Sequence, residues 1–214
     1  SRYMMNQPMA KNYQFKGIFC RRKDRLTKKI KYYLYTQDME TLIMVAERKQ
    51  DIKTYFIISM DANQISKIGK EYLGVFKLDK KSDYVTFSWH PQVNDSKRVM
   101  LYLKRHESTF QSRGVGSIKQ FNDEILIPKL GECVLLDEGK TLDSLDSNKV
   151  FIKLNGSTEI ITDEDGSGNI NRIIKYNNTE CMSFFQTFED EYQINIQYPL
   201  SAFQAFSMAL SYIE

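Results

Sequence analysis

The segment 163–171 carries acidic and polar residues at the spacing of a calcium-binding loop. Its oxygen-bearing and turn residues match loop positions 1, 3, 5 and 6 of that pattern: Asp163, Asp165, Ser167 and Gly168. Position 12 of such a loop needs a bidentate Glu, and this sequence has Ile174 there. The isoleucine pairs at 160–161 and 173–174 indicate flanking strands instead of flanking helices. We therefore predict a polar hairpin turn and no metal site.

The other reactive side chains form no recognisable catalytic or metal-binding set. The histidines and cysteines are scattered along the sequence: His90, His106, Cys20, Cys133 and Cys181. They have neither the spacing of zinc ligands nor the signature of a Cys–His nucleophile, and three cysteines are too few for a disulfide framework. The carboxylates at 189–191 are expected to form a solvated turn. We therefore expect a cytosolic protein that is not an enzyme and needs no cofactor.

Positive charge is concentrated at the start of the chain. The net charge is +3, but residues 1–31 contain ten Lys or Arg and one acid, a local balance of +9. The remaining residues therefore carry −6, and no Lys or Arg follows Lys175. Such a basic stripe suits an anionic partner: a phosphoinositide, a nucleic acid or an acidic protein. The alternative is that the basic run 21–29 is a solvated hairpin loop that binds no partner.

The elements that must position these charges are mainly β-strands. Tyr and Phe number 13 each, against 10 Gly and 4 Pro, and apolar residues alternate with polar ones at period two. The predicted strands cover residues 13–19, 31–35, 41–46, 53–59, 71–77, 84–89, 98–104, 124–127, 132–136, 150–154, 158–161, 169–176, 182–188 and 192–196. About a dozen short strands with regular turns are typical of an antiparallel sandwich or barrel.

The segment 200–211 is predicted to be a helix that the sheet encloses. It contains no charged and no β-branched residue, and Ser201, preceded by Pro199, suits its N-cap. Its residues at about 1.5 Å each span roughly 18 Å, the length of a five- or six-residue strand. A helix that is apolar on nearly all sides must be buried, and a closed sheet would bury it while removing exposed sheet edges.

Motifs at both ends of the chain match one family. From Phe184 the sequence reads FFQTFEDEYQINIQYPLSAFQAFSMALSYIE, with an acidic turn and a strand before the Tyr-Pro-Leu at 198–200. The first half adds the Cys-Arg at 20–21 and the Tyr-Leu-Gly at 72–74 in the same order. Over residues 16–214 the sequence resembles the tubby C-terminal domain family.

The resemblance implies an α+β, mainly β fold. It is a closed antiparallel β-barrel of about twelve strands around a central hydrophobic C-terminal α-helix, which agrees with the argument from the helix itself. The chain then divides into an N-terminal segment, 1–15, expected to be partly extended, and the barrel domain, 16–214.

The resemblance also implies a phosphoinositide headgroup site. The family's Asn, Lys and two Arg positions fall here on Tyr55, Val75, Lys77 and, for the last, Lys97 or Arg98. Since alternate residues of a strand share a face, Leu73, Val75 and Lys77 are expected on one side. Lys53 shares a face with Tyr55. If the two strands are adjacent, we expect Lys53 to converge with Lys77 and replace part of the charge lost at Val75.

The function implied is that of a peripheral membrane adaptor. Its partner would be phosphatidylinositol 4,5-bisphosphate or another phosphoinositide at the inner face of the plasma membrane, in trafficking or signalling, with the cilium or nucleus as further locations. We expect a monomer that reaches a protein partner through an N-terminal extension outside this sequence. The alternative function is nucleic-acid binding, or a role in transcription, through the basic surface, and a scramblase-like role is a third hypothesis.

Overall fold

The structure, a computed structural model, describes residues 2–49, 55–80, 83–89, 97–114, 116–130, 134–136, 147–162 and 168–213. The strands in these residues are β1 (Gln14–Lys23), β2 (Ile30–Thr36), β3 (Leu42–Arg48), β4 (Tyr55–Ser59), β5 (Tyr72–Lys80), β6 (Asp83–Trp89), β7 (Lys97–Ser112), β8 (Gly116–Pro128), β9 (Leu135–Leu136), β10 (Phe151–Thr162), β11 (Gly168–Tyr176), β12 (Thr179–Phe188) and β13 (Glu191–Gln197). The helices are α1 (Arg2–Asn6), α2 (Ser147–Val150) and α3 (Ala202–Tyr212). No helix in this described part of the chain is long and apolar enough to cross a lipid bilayer.

Twelve of the described strands form one closed antiparallel ring. Around the ring they follow the order β1 to β8, then β10 to β13, and β13 pairs back with β1. This closing ladder joins Gln14 to Gln197 at one end and Cys20 to Glu191 at the other. The short strand β9 pairs with the first two residues of β7. The predicted closed barrel of about twelve strands around a C-terminal helix is therefore confirmed.

The sequence pattern underestimated the length of three strands. β7 and β8 form a hairpin whose pairing continues to Ser112 and Gly116, far beyond the predicted ends of both strands. The two strands predicted at 150–154 and 158–161 are parts of the single strand β10. The β7 residues at 106–111 are exposed on both faces. Because no apolar face alternates with a polar one there, the period-two pattern gave no signal.

Helix α3 fills the barrel, as the sequence predicted. Residues 202–211 are all buried, and Ser201 is the N-cap. The backbone N–H of Gln204 donates to Ser201 Oγ at 3.1 Å, and the backbone N–H of Ser201 donates to Gln204 Oε1 at 2.9 Å. This capping box satisfies two of the donors that a helix N-terminus leaves open, which matters because Ser201 and Gln204 are buried.

The polar side chains within α3 also have partners inside the barrel. Gln204 Nε2 donates to the carbonyl of Met100 at 2.8 Å, and Ser207 Oγ donates to the carbonyl of Phe203 at 2.8 Å. An unsatisfied buried polar group costs about 1–3 kcal/mol. The uncharged hydroxyl and amide groups of the helix are therefore compatible with full burial.

A buried ion pair closes the C-terminal end of α3. Arg105 Nε and Nη2 donate to the two carboxylate oxygens of Asp123 at 3.1 and 3.2 Å, and Arg105 Nη1 donates to the carbonyl of Ser211 at 2.6 Å. Burial alone would lower the pKa of Arg105, but the hydrogen bond and charge of Asp123 outweigh burial and raise that pKa. The cation therefore stays charged where a helix exposes its last carbonyl groups.

A second apolar cluster lies on the outside of the barrel. The connector between β4 and β5, residues 60–71, folds back over the outer strand faces and buries Ile65 there. The members of this outer cluster are Val45, Ile57, Ile65, Val75, Val85, Phe87, Val99, Tyr102, Val134 and Phe151. The β4–β5 register shifts between Ile58 and Ser59. Because of this bulge, Leu73 packs with α3 while Val75 packs in the outer cluster, so the prediction that they share a face is wrong.

The enclosed helix makes a direct prediction about stability. Phe206 is 0% exposed in the interior, so Phe206→Ala is expected to lower the free energy of unfolding by about 3–5 kcal/mol in urea titrations. Phe188 is 72% exposed, and Phe188→Ala is the matched control, expected to change it by less than about 0.5 kcal/mol. Equal losses in both variants would contradict a buried α3.

Candidate functional site

Tyr55 and Lys77, two of the predicted site residues, lie opposite each other on neighbouring strands. They are paired across β4 and β5, and both side chains are partly buried. The ammonium nitrogen of Lys77 lies 5.3 Å from the ring centroid of Phe87. The ammonium nitrogen of Lys67, in the connector, lies 5.2 Å from the ring centroid of Tyr55. The structure therefore places the Lys67 ammonium group over the Tyr55 ring, and Lys77 on the strand residue paired with Tyr55, on the outer face of the barrel.

The neighbouring predicted residues are placed differently. Val75 is paired with Ile57 and is 5% exposed, so it packs in the outer cluster. Lys53 lies outside the described residues. Sequence reasoning missed Lys67, because an irregular connector has no periodicity that could indicate which strand it returns to.

Lys97 and Arg98 lie at the other end of the strands. Arg98 is paired with Ser88, which is paired with Gly74, three residues before Lys77 on β5. That offset and two interstrand spacings put the Cα atoms of Arg98 and Lys77 roughly 14 Å apart. Arg98 lines a cavity of about 280 Å³ together with Asn6 and Gln204, at the N-terminal end of α3. Its backbone neighbour Lys97 is paired with Trp89. The structure therefore does not bring these two residues to Tyr55 and Lys77.

Further basic residues continue the outer surface from β4 back to β1. Arg22 is paired with Lys31, and Lys31 is paired with Glu47, in one row across β1, β2 and β3. Lys49 connects this row to Tyr55, because the backbone N–H of Lys49 donates to the carbonyl of Tyr55 at 2.9 Å. We name this surface the basic face, and it comprises Arg22, Lys29, Lys31, Lys49, Lys67 and Lys77 with the rings of Tyr33, Tyr35 and Tyr55.

Glu47 is a covered carboxylate at the centre of the basic face. Its Oε1 accepts hydrogen bonds from Lys29 Nζ at 3.2 Å and Lys49 Nζ at 3.3 Å. The side chains of Lys29 and Lys49 are 52% and 37% exposed, whereas that of Glu47 is 9% exposed. Burial alone would raise the pKa of Glu47, but the hydrogen bonds and charges of both lysines outweigh burial and lower it. The surface therefore presents ammonium groups to solvent and keeps their carboxylate partner beneath.

Two stacked tyrosines support the β1 side of the basic face. The rings of Tyr33 and Tyr35 are nearly parallel, with centroids 5.9 Å apart and an interplanar angle of 18°. The guanidinium carbon of Arg22 lies 5.7 Å from the first centroid and 5.5 Å from the second. Such cation–π contacts orient the guanidinium while leaving its N–H groups available for an anion.

The chemistry available at this surface is anion binding. Ammonium and guanidinium groups are donors only, and a phenol can donate as well, so together they match phosphate oxygens. Among the described residues, no three His, Cys, Asp or Glu side chains form a group that could hold a metal ion. Burial raises the pKa of the Cys181 thiol to about 12, which disfavours the thiolate that a nucleophile needs.

Comparison with known proteins agrees with the architecture. The family model described as the Tub family matches residues 5–125. No curated protein matches the sequence. The matched segment runs from α1 into β8 and contains every residue of the basic face. Because the match covers more than half of the 214 residues, and the strands close around α3 as the resemblance implied, the chain belongs to the Tub family of tubby-like domains.

Proposed function

We propose that this chain is a peripheral membrane adaptor domain that binds phosphoinositide headgroups through the basic face. The observation that carries the proposal is the placement of cations around Tyr55 and Glu47, with the carboxylate covered and the ammonium groups exposed. Membership of the Tub family supports it, because tubby-like domains are generally phosphoinositide-binding and non-enzymatic.

Lys77 and Tyr55 are the proposed primary headgroup contacts, with Lys53 as the third. They lie on paired strands, and Lys67 adds a cation beside the Tyr55 ring. Each Lys or Arg near an anionic surface is worth about 1 kcal/mol, so Val75 in place of a lysine would weaken binding roughly fivefold. Lys67 offsets such a loss. Contact of Lys97 or Arg98 with the same headgroup stays a prediction, and the separation of roughly 14 Å weighs against it.

The proposed setting is the inner face of the plasma membrane. A domain held there by headgroup charge would leave when lipid hydrolysis removes that charge. This suits a role in trafficking or signalling, including ciliary trafficking, as a monomer that contacts its protein partner through a separate segment. Live imaging of the tagged protein during activation of a phospholipase C tests this setting, and a signal that stays at the membrane would contradict it.

Nucleic-acid binding is the alternative function, and an experiment must distinguish it from headgroup binding. Binding to a DNA duplex through many phosphates falls steeply as salt rises. A headgroup site instead distinguishes inositol phosphates that carry equal charge. Sedimentation with vesicles and titration with duplex DNA, each over a salt series, therefore separate the two functions. Vesicle binding that ignores headgroup isomers while duplex binding is tight would favour the nucleic-acid function.

Charge reversal at the proposed contacts should abolish membrane binding. The double variant Lys53→Glu, Lys77→Glu lowers the net charge of the site by four units. At about 1 kcal/mol per unit of charge, the affinity should fall on the order of a thousandfold. Sedimentation with phosphatidylinositol 4,5-bisphosphate vesicles measures this loss. Lys175→Glu is the matched control, because Lys175 is exposed on β11, five strands from β5 around the ring. Unchanged binding by the double variant would refute the placement of the site.

Glu47 should make stability depend on pH. The pKa of Glu47 is lowered below its ordinary value of 4.5. The ionised carboxylate therefore contributes fully to the free energy of unfolding at pH values above 4.5, and this contribution is lost as the pH falls through the lower pKa of the folded state. Glu47→Gln is expected to reduce the free energy of unfolding by about 1 kcal/mol at neutral pH, and the difference from wild type should vanish in acid. Urea titrations at a series of pH values test this, and a difference that is constant with pH would contradict it.

A further inference from the structure

Two aliphatic side chains project almost fully into solvent. Leu26 is 92% exposed and Ile68 is 91% exposed, more than any other large hydrophobic side chain in the described part of the chain. A single exposed leucine is ordinary on a protein surface. These two differ because their sequence neighbours are cationic: Arg25 precedes Leu26, and Ile68 follows Lys67.

The turn between β1 and β2 holds Leu26 outward. Asp24 Oδ1 accepts hydrogen bonds from the backbone N–H groups of Leu26 at 2.8 Å and Thr27 at 2.7 Å. The backbone of Asp24 also pairs with Lys29 across the base of the turn at 2.8 Å. These bonds order the turn through its backbone and the Asp24 carboxylate, without the Leu26 side chain. The leucine side chain is therefore presented by a formed turn instead of packing back onto the barrel.

The connector presents Ile68 in a comparable way. Ile65 anchors it in the outer cluster, and the backbone N–H of Gly69 donates to the carbonyl of Ser66 at 3.1 Å. This turn directs Ile68 away from the apolar surface that buries Ile65. Two isoleucines three residues apart therefore have opposite environments, one 9% and the other 91% exposed.

Both side chains border the basic face. Leu26 is three residues before Lys29, whose ammonium group contacts Glu47. Ile68 is next to Lys67, whose ammonium group lies over the Tyr55 ring. An apolar side chain among exposed cations is poorly suited to water or to a soluble anion. It is suited to an anionic bilayer, where the cations meet phosphates and the aliphatic group enters the hydrocarbon boundary below.

We propose that Leu26 and Ile68 insert into the lipid bilayer when the basic face contacts anionic headgroups. This inference rests on the proposed phosphoinositide function, and it adds two apolar contacts with the bilayer interior to the headgroup contacts. Insertion at two separated points fixes the orientation of the barrel. The β1–β2 turn and the connector face the bilayer, and the headgroup site lies between them.

Phe188 provides a matched control within the same chain. It is 72% exposed at the end of β12, next to the turn that leads to β13, and its following neighbours are Glu189, Asp190 and Glu191. An anionic surface repels this acidic turn. Loss of the exposed aromatic side chain at Phe188 should therefore leave membrane binding unchanged.

The test compares Leu26→Ser, Ile68→Ser, the double variant and Phe188→Ser with wild type. Sedimentation uses vesicles of phosphatidylcholine with phosphatidylinositol 4,5-bisphosphate, at low and at high salt. Calorimetry with soluble inositol trisphosphate reports headgroup binding without a bilayer. The rise in surface pressure of a lipid monolayer of the same composition reports insertion directly. All three substituted positions are exposed, so thermal unfolding should be the same for every variant.

Each serine substitution at Leu26 or Ile68 is expected to lower vesicle affinity roughly five- to tenfold, because part of one aliphatic side chain no longer leaves water. The loss should persist at high salt, since salt screens charges but not apolar burial. Inositol trisphosphate affinity should be unchanged. If the double variant matches wild type in both vesicle affinity and monolayer pressure, the proposal that these side chains insert is overturned. A wild-type protein that binds neither inositol trisphosphate nor vesicles would overturn the proposed function itself.

Discussion

The enclosure of an uncharged helix is the constraint on which the rest of the structure depends. Helix α3 can lie inside the ring because its polar atoms are satisfied there, by the capping box at Ser201 and by carbonyls of the helix and of β7. Arg105 completes this at the opposite end by donating to Ser211 while Asp123 balances its charge. The interior is filled in this way by the helix itself, and the basic face lies on the outer wall of the barrel.

That outer wall is divided into an apolar and a basic part by the path of the chain. The outer cluster covers part of β3 to β7, and the connector contributes Ile65 to it. The bulge between β4 and β5 turns Leu73 into the interior, whereas Val75 packs in the outer cluster and Lys77 lies opposite Tyr55. The cations therefore border a buried apolar layer. The buried layer fixes the pairing of the strands that carry these cations.

The sequence predicted those parts of the molecule that depend on local composition. The helix could be predicted because a capped, uncharged segment without β-branched residues must be buried. The convergence of Tyr55 with Lys77 was expected on the condition that their strands are adjacent, and β4 and β5 do pair. Three other features depend on which distant residues come together. They are the bulge that turns Leu73 inward, the contact of Lys67 with Tyr55 and the Arg105–Asp123 ion pair. The alternation of apolar and polar residues along a strand carries no information about such register. It also gave no signal for the exposed end of the β7–β8 hairpin. The positions of Lys97 and Arg98 show the same limit: their charge was visible, but their distance from Lys77 was not.

The seam of the ring has a consequence for biosynthesis. β13 pairs with β1, and α3 follows β13, so the closing ladder and the interior filling both come from the last part of the described chain. While a ribosome is still translating, the preceding strands can pair with their neighbours, but β1 keeps an open edge and the concave sheet has no occupant. The final structure therefore forms only after translation has passed the helix. Until then the nascent sheet exposes the apolar inner surface that α3 later covers, and exposed apolar surface of this kind promotes aggregation.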